Sequence, residues 1–207
     1  GSEMCIRDRY IENAQKFTIR PSAKRKLASE QYHDVTIDSQ VNLNLIQFYN
    51  TYPSSEVNGN FMTRWKMYAD TPMDESVSQM LYPDIKNKIE GLSDVQAVNQ
   101  ILNWVQTAFQ YEYDDKVWGH DRAFFAEETL YYPYCDCEDR AILFTRLVRD
   151  LLGLKCILVY YPGHLASAVC LKQQVNGDYI SLDGDVYTIC DLSLIHISEP
   201  TRHSLIS

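Results

Sequence analysis

The chain has 207 residues, 45% of them hydrophobic and 12% aromatic, and carries a formal net charge of −9. That length suits one domain, or one domain with part of a second, and gives a core large enough to fold without disulfide or zinc staples. The acidic balance argues against a nucleic-acid groove, which needs a basic face, and no apolar run approaches the roughly 18–20 residues of a membrane span.

The two ends stand apart from the rest. "SEMCIRDR" and "LSLIHISEPTRH" read as translated sequencing-library adapters. MCIRD can be encoded by ATG TGT ATA AGA GAC and LSLIHI by CTG TCT CTT ATA CAC AT. The second string is the reverse complement of the first, extended by two bases, a relationship that natural termini have no reason to show. Residues 1–9 and 192–207 are therefore expected to be artefact and are set aside in reasoning about the fold. Six cysteines less Cys5 leaves five, Cys135, Cys137, Cys156, Cys170 and Cys190. An odd number crowded into the C-terminal half is a poor disulfide framework.

Residues 10–73 are weakly patterned and read as a flanking segment or partial domain. "VNLNLIQFYNTYP" suits a short helix ending before Pro53, "SSEVNGN" a loop, and "FMTRWKMYAD" fits strand or helix equally. Patterning sharpens from residue 74, which opens a core expected to run to 191. Ser93 stands three residues before Gln96, a capping-box spacing, and Val98, Ile101, Leu102, Val105, Ala108 and Phe109 then recur at helical period. "YEYDDKVWGHDR" reads as a polar aromatic loop, and "FFAEETLYYPY" leads into two cysteines one residue apart.

A second helix is predicted over 138–152. Its apolar face is Ala141, Phe144, Leu147, Val148, Leu151 and Leu152, and Gly153 is placed to terminate it in the left-handed region. Strands follow: "KCILVYY", a Pro-Gly-His turn, "HLASAVCLK", a turn at Asn176-Gly177, "YISL", a turn at Asp183-Gly184, and "VYTICD". Helices followed by antiparallel strands make an α+β class.

Cys137 falls where the second helix begins. Unpaired N–H groups and the positive end of the helix dipole favour an anion there, and the thiolate is the attacking form of cysteine. Asp136, Glu138 and Asp139 oppose that charge, so an imidazolium is needed nearby. His164 is the candidate, at a strand mouth beside a glycine turn, whereas His33 lies in the weakly patterned region and His120 in the polar loop. A carboxylate on a neighbouring strand would orient the ring, and Asp183 and Asp191 both qualify by position.

These residues resemble a family. "CEDRAILFTRLVRDLLGLKCILVYYPGHLASAV" is similar to the transglutaminase-like superfamily of bacterial type, related in core design to papain-type cysteine proteases. Cys137-Glu138-Asp139-Arg140-Ala141 matches the first motif, Leu152-Gly153-Leu154 the turn after the helix and Gly163-His164 the third motif. "AEETL" resembles the segment that precedes the cysteine. The likeness covers about residues 75–191. It implies a papain-like core in which a helix bearing the cysteine at its N-terminus packs on an antiparallel sheet carrying His and Asp. It also implies Cys137 rather than Cys135 as nucleophile, His164 as base, and Asp191 as orienting acid, because "YTICD" resembles the strand that ends in the family's Asp-Pro-Thr. Asp183 then reads as the first residue of an Asp-Gly turn. The chain departs from the family in having "YPYCD" before the cysteine and Leu165 after the histidine. Trp104, Trp118 and the Cys137 backbone N–H stand as candidate oxyanion donors.

The remaining candidates have plain structural readings. Cys156, Cys170 and Cys190 read as small buried hydrophobes, and Asp139 and Arg140 as a helix-start carboxylate and a solvated or salt-bridging cation. A metal site from Cys135, Cys137, His164 and His120 is a poor match to zinc spacing, and Cys-x-Cys is not the redox spacing either. The expectation is acyl transfer at an amide of a protein or peptide substrate through a Cys137 thioester, without cofactor or metal. Hydrolysis is favoured over cross-linking, since no calcium-loop pattern is visible. The alternative is a non-catalytic binding or scaffold domain that keeps the fold.

Overall fold

The structure is a computed structural model that describes residues 18–51, 61–173 and 175–193. The "SSEVNGN" loop and most of the two ends read as adapter lie outside the described residues. The chain is α+β. Its helices are α1 (Leu43–Thr51), α2 (Phe61–Asp70), α3 (Glu75–Ile89), α4 (Asp94–Thr107), α5 (Asp114–Val117), α6 (Ala126–Tyr131) and α7 (Cys137–Leu152). Its strands are β1 (Arg25–Ala28), β2 (Thr36–Ser39), β3 (Gln110–Tyr111), β4 (Tyr134–Cys135), β5 (Cys156–Tyr161), β6 (His164–Val169), β7 (Tyr179–Leu182) and β8 (Asp185–Cys190).

Helix α7 is the axis of the molecule. Asp136 caps it by accepting the N–H groups of Glu138 (3.0 Å) and Asp139 (3.4 Å), and Asp139 answers by accepting the Asp136 N–H at 3.2 Å. This reciprocal pairing satisfies donors that the helix start leaves open. At the other end Gly153, with φ of 64°, donates its N–H to the Arg149 carbonyl. The sheet packs on one side of α7 through β5 and β6, and α2, α4 and α6 pack elsewhere around it. Ile142 and Leu143 are therefore as fully buried as the predicted face residues Ala141, Phe144, Leu147 and Val148.

The main sheet has the order β5-β6-β8-β7, antiparallel throughout, with Tyr161 opposite His164 and Ser167 opposite Cys190. The small residues of β6 let α7 approach closely. The Ser167 hydroxyl donates to the Ala141 carbonyl at 3.1 Å and lies 3.0 Å from the Thr145 hydroxyl, which satisfies two buried polar groups.

The weakly patterned N-terminal region folds into the same core. β1 and β2 form an antiparallel hairpin, and "FMTRWKMYAD" is helix α2. Leu27, Ile37, Leu45 and Tyr68 belong to one buried cluster with Ile142 and Leu165. The stretch read as a polar loop holds β3 and the single turn α5. β3 pairs in parallel with β4, setting Tyr111 opposite Cys135. That short bridge ties the segment after α4 to the entrance of α7.

Candidate active site

Cys137 is the first residue of α7 and is half-buried, with Asp136 as the cap before it. His164 opens β6 after the Pro162-Gly163 turn, where Gly163 takes a φ of 75°. β8 runs beside β6 in the opposite direction, so the residue after its end comes back to the mouth of β6. That residue is Asp191, and His164 Nε2–H donates to its Oδ1 at 3.0 Å. His164 and Cys137 line one cleft, and the thiol is among the groups that raise the imidazole's pKa. With Nε2 on the carboxylate, Nδ1 is the ring nitrogen left for another partner. A helix start, a strand start and a strand end thus bring the three side chains to one place, with His164 and Asp191 in direct contact.

The electrostatics follow from that order. The Asp191 carboxylate first, then the thiol, raise the His164 pKa to about 10 against the penalty of burial. For Asp191, burial pulls the pKa upward, but hydrogen bonds from His164 and from the Ser193 N–H (2.8 Å) hold it at about 2. The imidazolium is accordingly the favoured form of His164 at neutral pH. Asp183, the other positional candidate, is exposed in the β7–β8 turn with φ of 52°.

A cleft of about 800 Å³ opens over these groups, lined by Cys137, His164, Tyr111, Trp65, Tyr160 and Glu138 among others. Cys135 does not face it as a second thiol. It is buried, its Sγ is directed at the Gln110 carbonyl at 3.9 Å, and burial raises its pKa to about 11. Cys156 and Cys190 are buried as expected, while Cys170 is half-buried rather than buried. His120 is exposed, with Nδ1 3.0 Å from the Trp118 carbonyl.

Carboxyl groups crowd together beside the cleft, and Asp136 and Glu138 among them line it. Oxygens of Asp114, Asp136 and Glu138 lie within 4.8 Å of one another, and among the described residues this is the one set of acidic, His or Cys groups close enough to hold a cation. Glu138 Oε1 is buried without a hydrogen-bond partner. Burial first, and then Asp136 and Asp121, raise the Glu138 pKa to about 9, and burial raises that of Asp114 to about 7.

Several side chains differ from their sequence-based readings. Arg140 is neither solvated nor salt-bridged. It is fully buried, donating to the Phe109 carbonyl at 2.6 Å and the Leu192 carbonyl at 3.3 Å. Its fork joins the segment before β3 to the segment after β8, a use that planar guanidinium suits. Leu192, assigned to the adapter, is likewise fully buried. Trp104 is no oxyanion donor, because its Nε1–H is given to the Leu27 carbonyl at 2.9 Å inside the core. Trp118 packs edge-on against Phe124 and Tyr132 with the Arg122 guanidinium 4.4 Å from its ring. Tyr111 went unremarked within an aromatic loop, and only the β3–β4 pairing brings it to the start of α7.

No family model, no curated protein and no solved structure matches this chain. The functional reading therefore rests on the geometry.

Proposed function

We propose that this chain is a transglutaminase-like thiol enzyme with a papain-like core, acting by acyl transfer at an amide, with hydrolysis as its ordinary outcome. The observation that carries the reading is an imidazole bonded to the Asp191 carboxylate and sharing a cleft with Cys137. A thiol at a helix start, a base within reach and a third group orienting the base is the constellation that nucleophilic catalysis uses.

In the proposed cycle Cys137 Sγ attacks the amide carbonyl, forming a C–S bond as the carbonyl electron pair moves to oxygen. His164 carries the thiol proton and delivers it to the leaving amine as the C–N bond breaks. The product is a thioester on Cys137. Water then attacks with His164 as base, releasing the acid and restoring the thiol. Asp191 stays ionised throughout and fixes the ring through Nε2. The open cleft admits water to the thioester, which supports hydrolysis.

The test uses a reactive acyl donor. After exposure to p-nitrophenyl acetate and acid quenching, peptide mass analysis is expected to place a hydroxylamine-labile acetyl group on Cys137. His164→Ala should slow its formation by about 100-fold, a typical contribution for a positioned acid–base. Equal acetylation of Cys137 and the half-buried Cys170 would contradict the reading and favour a non-catalytic domain.

A further inference from the structure

Attack on a carbonyl turns its oxygen into an anion, and donors aimed at that oxygen supply much of the rate of acyl transfer. Both tryptophans considered for this duty are engaged elsewhere. Tyr111 is not. Parallel pairing of β3 with β4 sets it opposite Cys135, and the Glu112 N–H donates to the Cys135 carbonyl at 3.1 Å, which fixes the register. Tyr111 and Cys137 line the same cleft, and Cys137 is among the groups that raise the phenol's pKa.

The ring is also held in place from behind. The Arg140 guanidinium stands 4.9 Å from its centroid, and Tyr113 meets it edge-on at 5.5 Å and 87°. A buried cation over an aromatic face is a favourable contact that costs no reorganisation during reaction. A carbonyl carbon bonded to Sγ carries its oxygen about 1.2 Å away. That oxygen therefore develops its charge inside the cleft that Tyr111 lines. Burial, with Cys137 alongside, raises the phenol pKa above its ordinary value and keeps it a donor at neutral pH.

We propose that Tyr111 is a catalytic residue whose phenolic O–H donates to the oxyanion formed when Cys137 attacks a carbonyl. The inference rests on the acyl-transfer reading of Cys137. As the S–C bond forms, the carbonyl electron pair moves to oxygen and Tyr111 shares its proton without surrendering it. Collapse returns the pair to the C=O bond and expels the leaving group, so the tyrosine ends the step unchanged.

Two probes on the full chain separate this role from a structural one. Acylation of Cys137 by p-nitrophenyl acetate passes through an oxyanion, whereas alkylation by iodoacetamide is a direct displacement that does not. Tyr111→Phe is expected to slow acylation by about 100-fold, the usual loss for one oxyanion donor, while leaving alkylation within about 2-fold. Tyr111→Met removes the hydroxyl and the ring together and is expected to show the same divergence, so the proposal does not hang on one variant folding. Parallel slowing of both reactions, or no slowing of acylation, would overturn it. Failure of the acyl-transfer reading shows separately, as wild-type Cys137 reacting with iodoacetamide no faster than Cys170, and takes this proposal with it.

Discussion

His164 Nε2 stands 3.0 Å from Asp191 Oδ1, joining the first residue of one strand to the residue just past the end of its antiparallel neighbour. Sheet topology delivers this contact, since the two residues are 27 positions apart in sequence. It also sets a pH window. His164, raised to about 10, contributes stability that is complete below its unfolded value near 6.5 and lost as pH rises through about 10. Asp191, held at about 2, contributes above its unfolded value near 3.8, and that contribution is lost as pH falls through about 2. Asp191→Asn should therefore lower the melting temperature most between about pH 4 and 6.5, with the deficit fading toward pH 10. Thermal melts of both proteins across pH check this, and a pH-independent deficit would refute it.

Glu138 behaves in the opposite sense. Its carboxyl is buried, and its pKa is raised to about 9 rather than lowered. Stability consequently falls as pH climbs from the unfolded value toward 9, because the folded state binds the extra proton. Glu138→Gln, close in shape to the protonated acid, should be nearly neutral at pH 4. At pH 8 it should stabilise by roughly 2 kcal/mol, about 4–8 °C in a chain of this size. Melts at the two pH values decide it, and destabilisation at pH 8 would show that the ionised carboxylate is needed.

Arg140 links the two segments that carry Tyr111 and Asp191, through carbonyls 31 and 52 residues away. Arg140→Met strands both buried carbonyls and should cost about 2–4 kcal/mol by chemical denaturation. Arg140→Lys should recover little of that loss, because a single ammonium cannot reproduce the fork. Full recovery by lysine would mean that charge rather than geometry is what matters.

Cys135 is a packing residue in this account. Cys135→Ala should leave acylation of Cys137 within about 2-fold while destabilising the fold by about 1 kcal/mol, the loss expected for a small buried side chain. A large fall in acylation rate, measured with p-nitrophenyl acetate, would return Cys135 to the site.

Much of the local structure was legible in the sequence, because it is written at short range. Ser93 and Gln96 form the expected capping box, with Ser93 N–H donating to Gln96 Oε1 at 3.0 Å. The two periodic helices, the Gly153 termination and "YISL" as a strand all stand where patterning placed them. The amphipathic reading of α7 was too narrow, since a helix between a sheet and other helices buries more than one face. Helix α2 was undecided because its buried positions among the described residues, Arg64, Trp65, Tyr68 and Ala69, include a charged residue that blurs the apolar period. Cys137, His164 and Asp191 were named from motif order, and the structure joins His164 to Asp191. Arg140 could not be read correctly, since burial of a guanidinium depends on carbonyls far along the chain. Tyr111 depended on a two-residue parallel bridge, which has no sequence period to announce it.

The central claim is that one imidazole is held between the Cys137 thiol and the Asp191 carboxylate. An NMR titration of His164 measures this most directly. The account predicts that its ring keeps imidazolium chemical shifts up to about pH 10, and that Asp191→Asn and Cys137→Ala each lower the midpoint, the former more. A midpoint near 6.5 in the wild type, unmoved by either substitution, would contradict it.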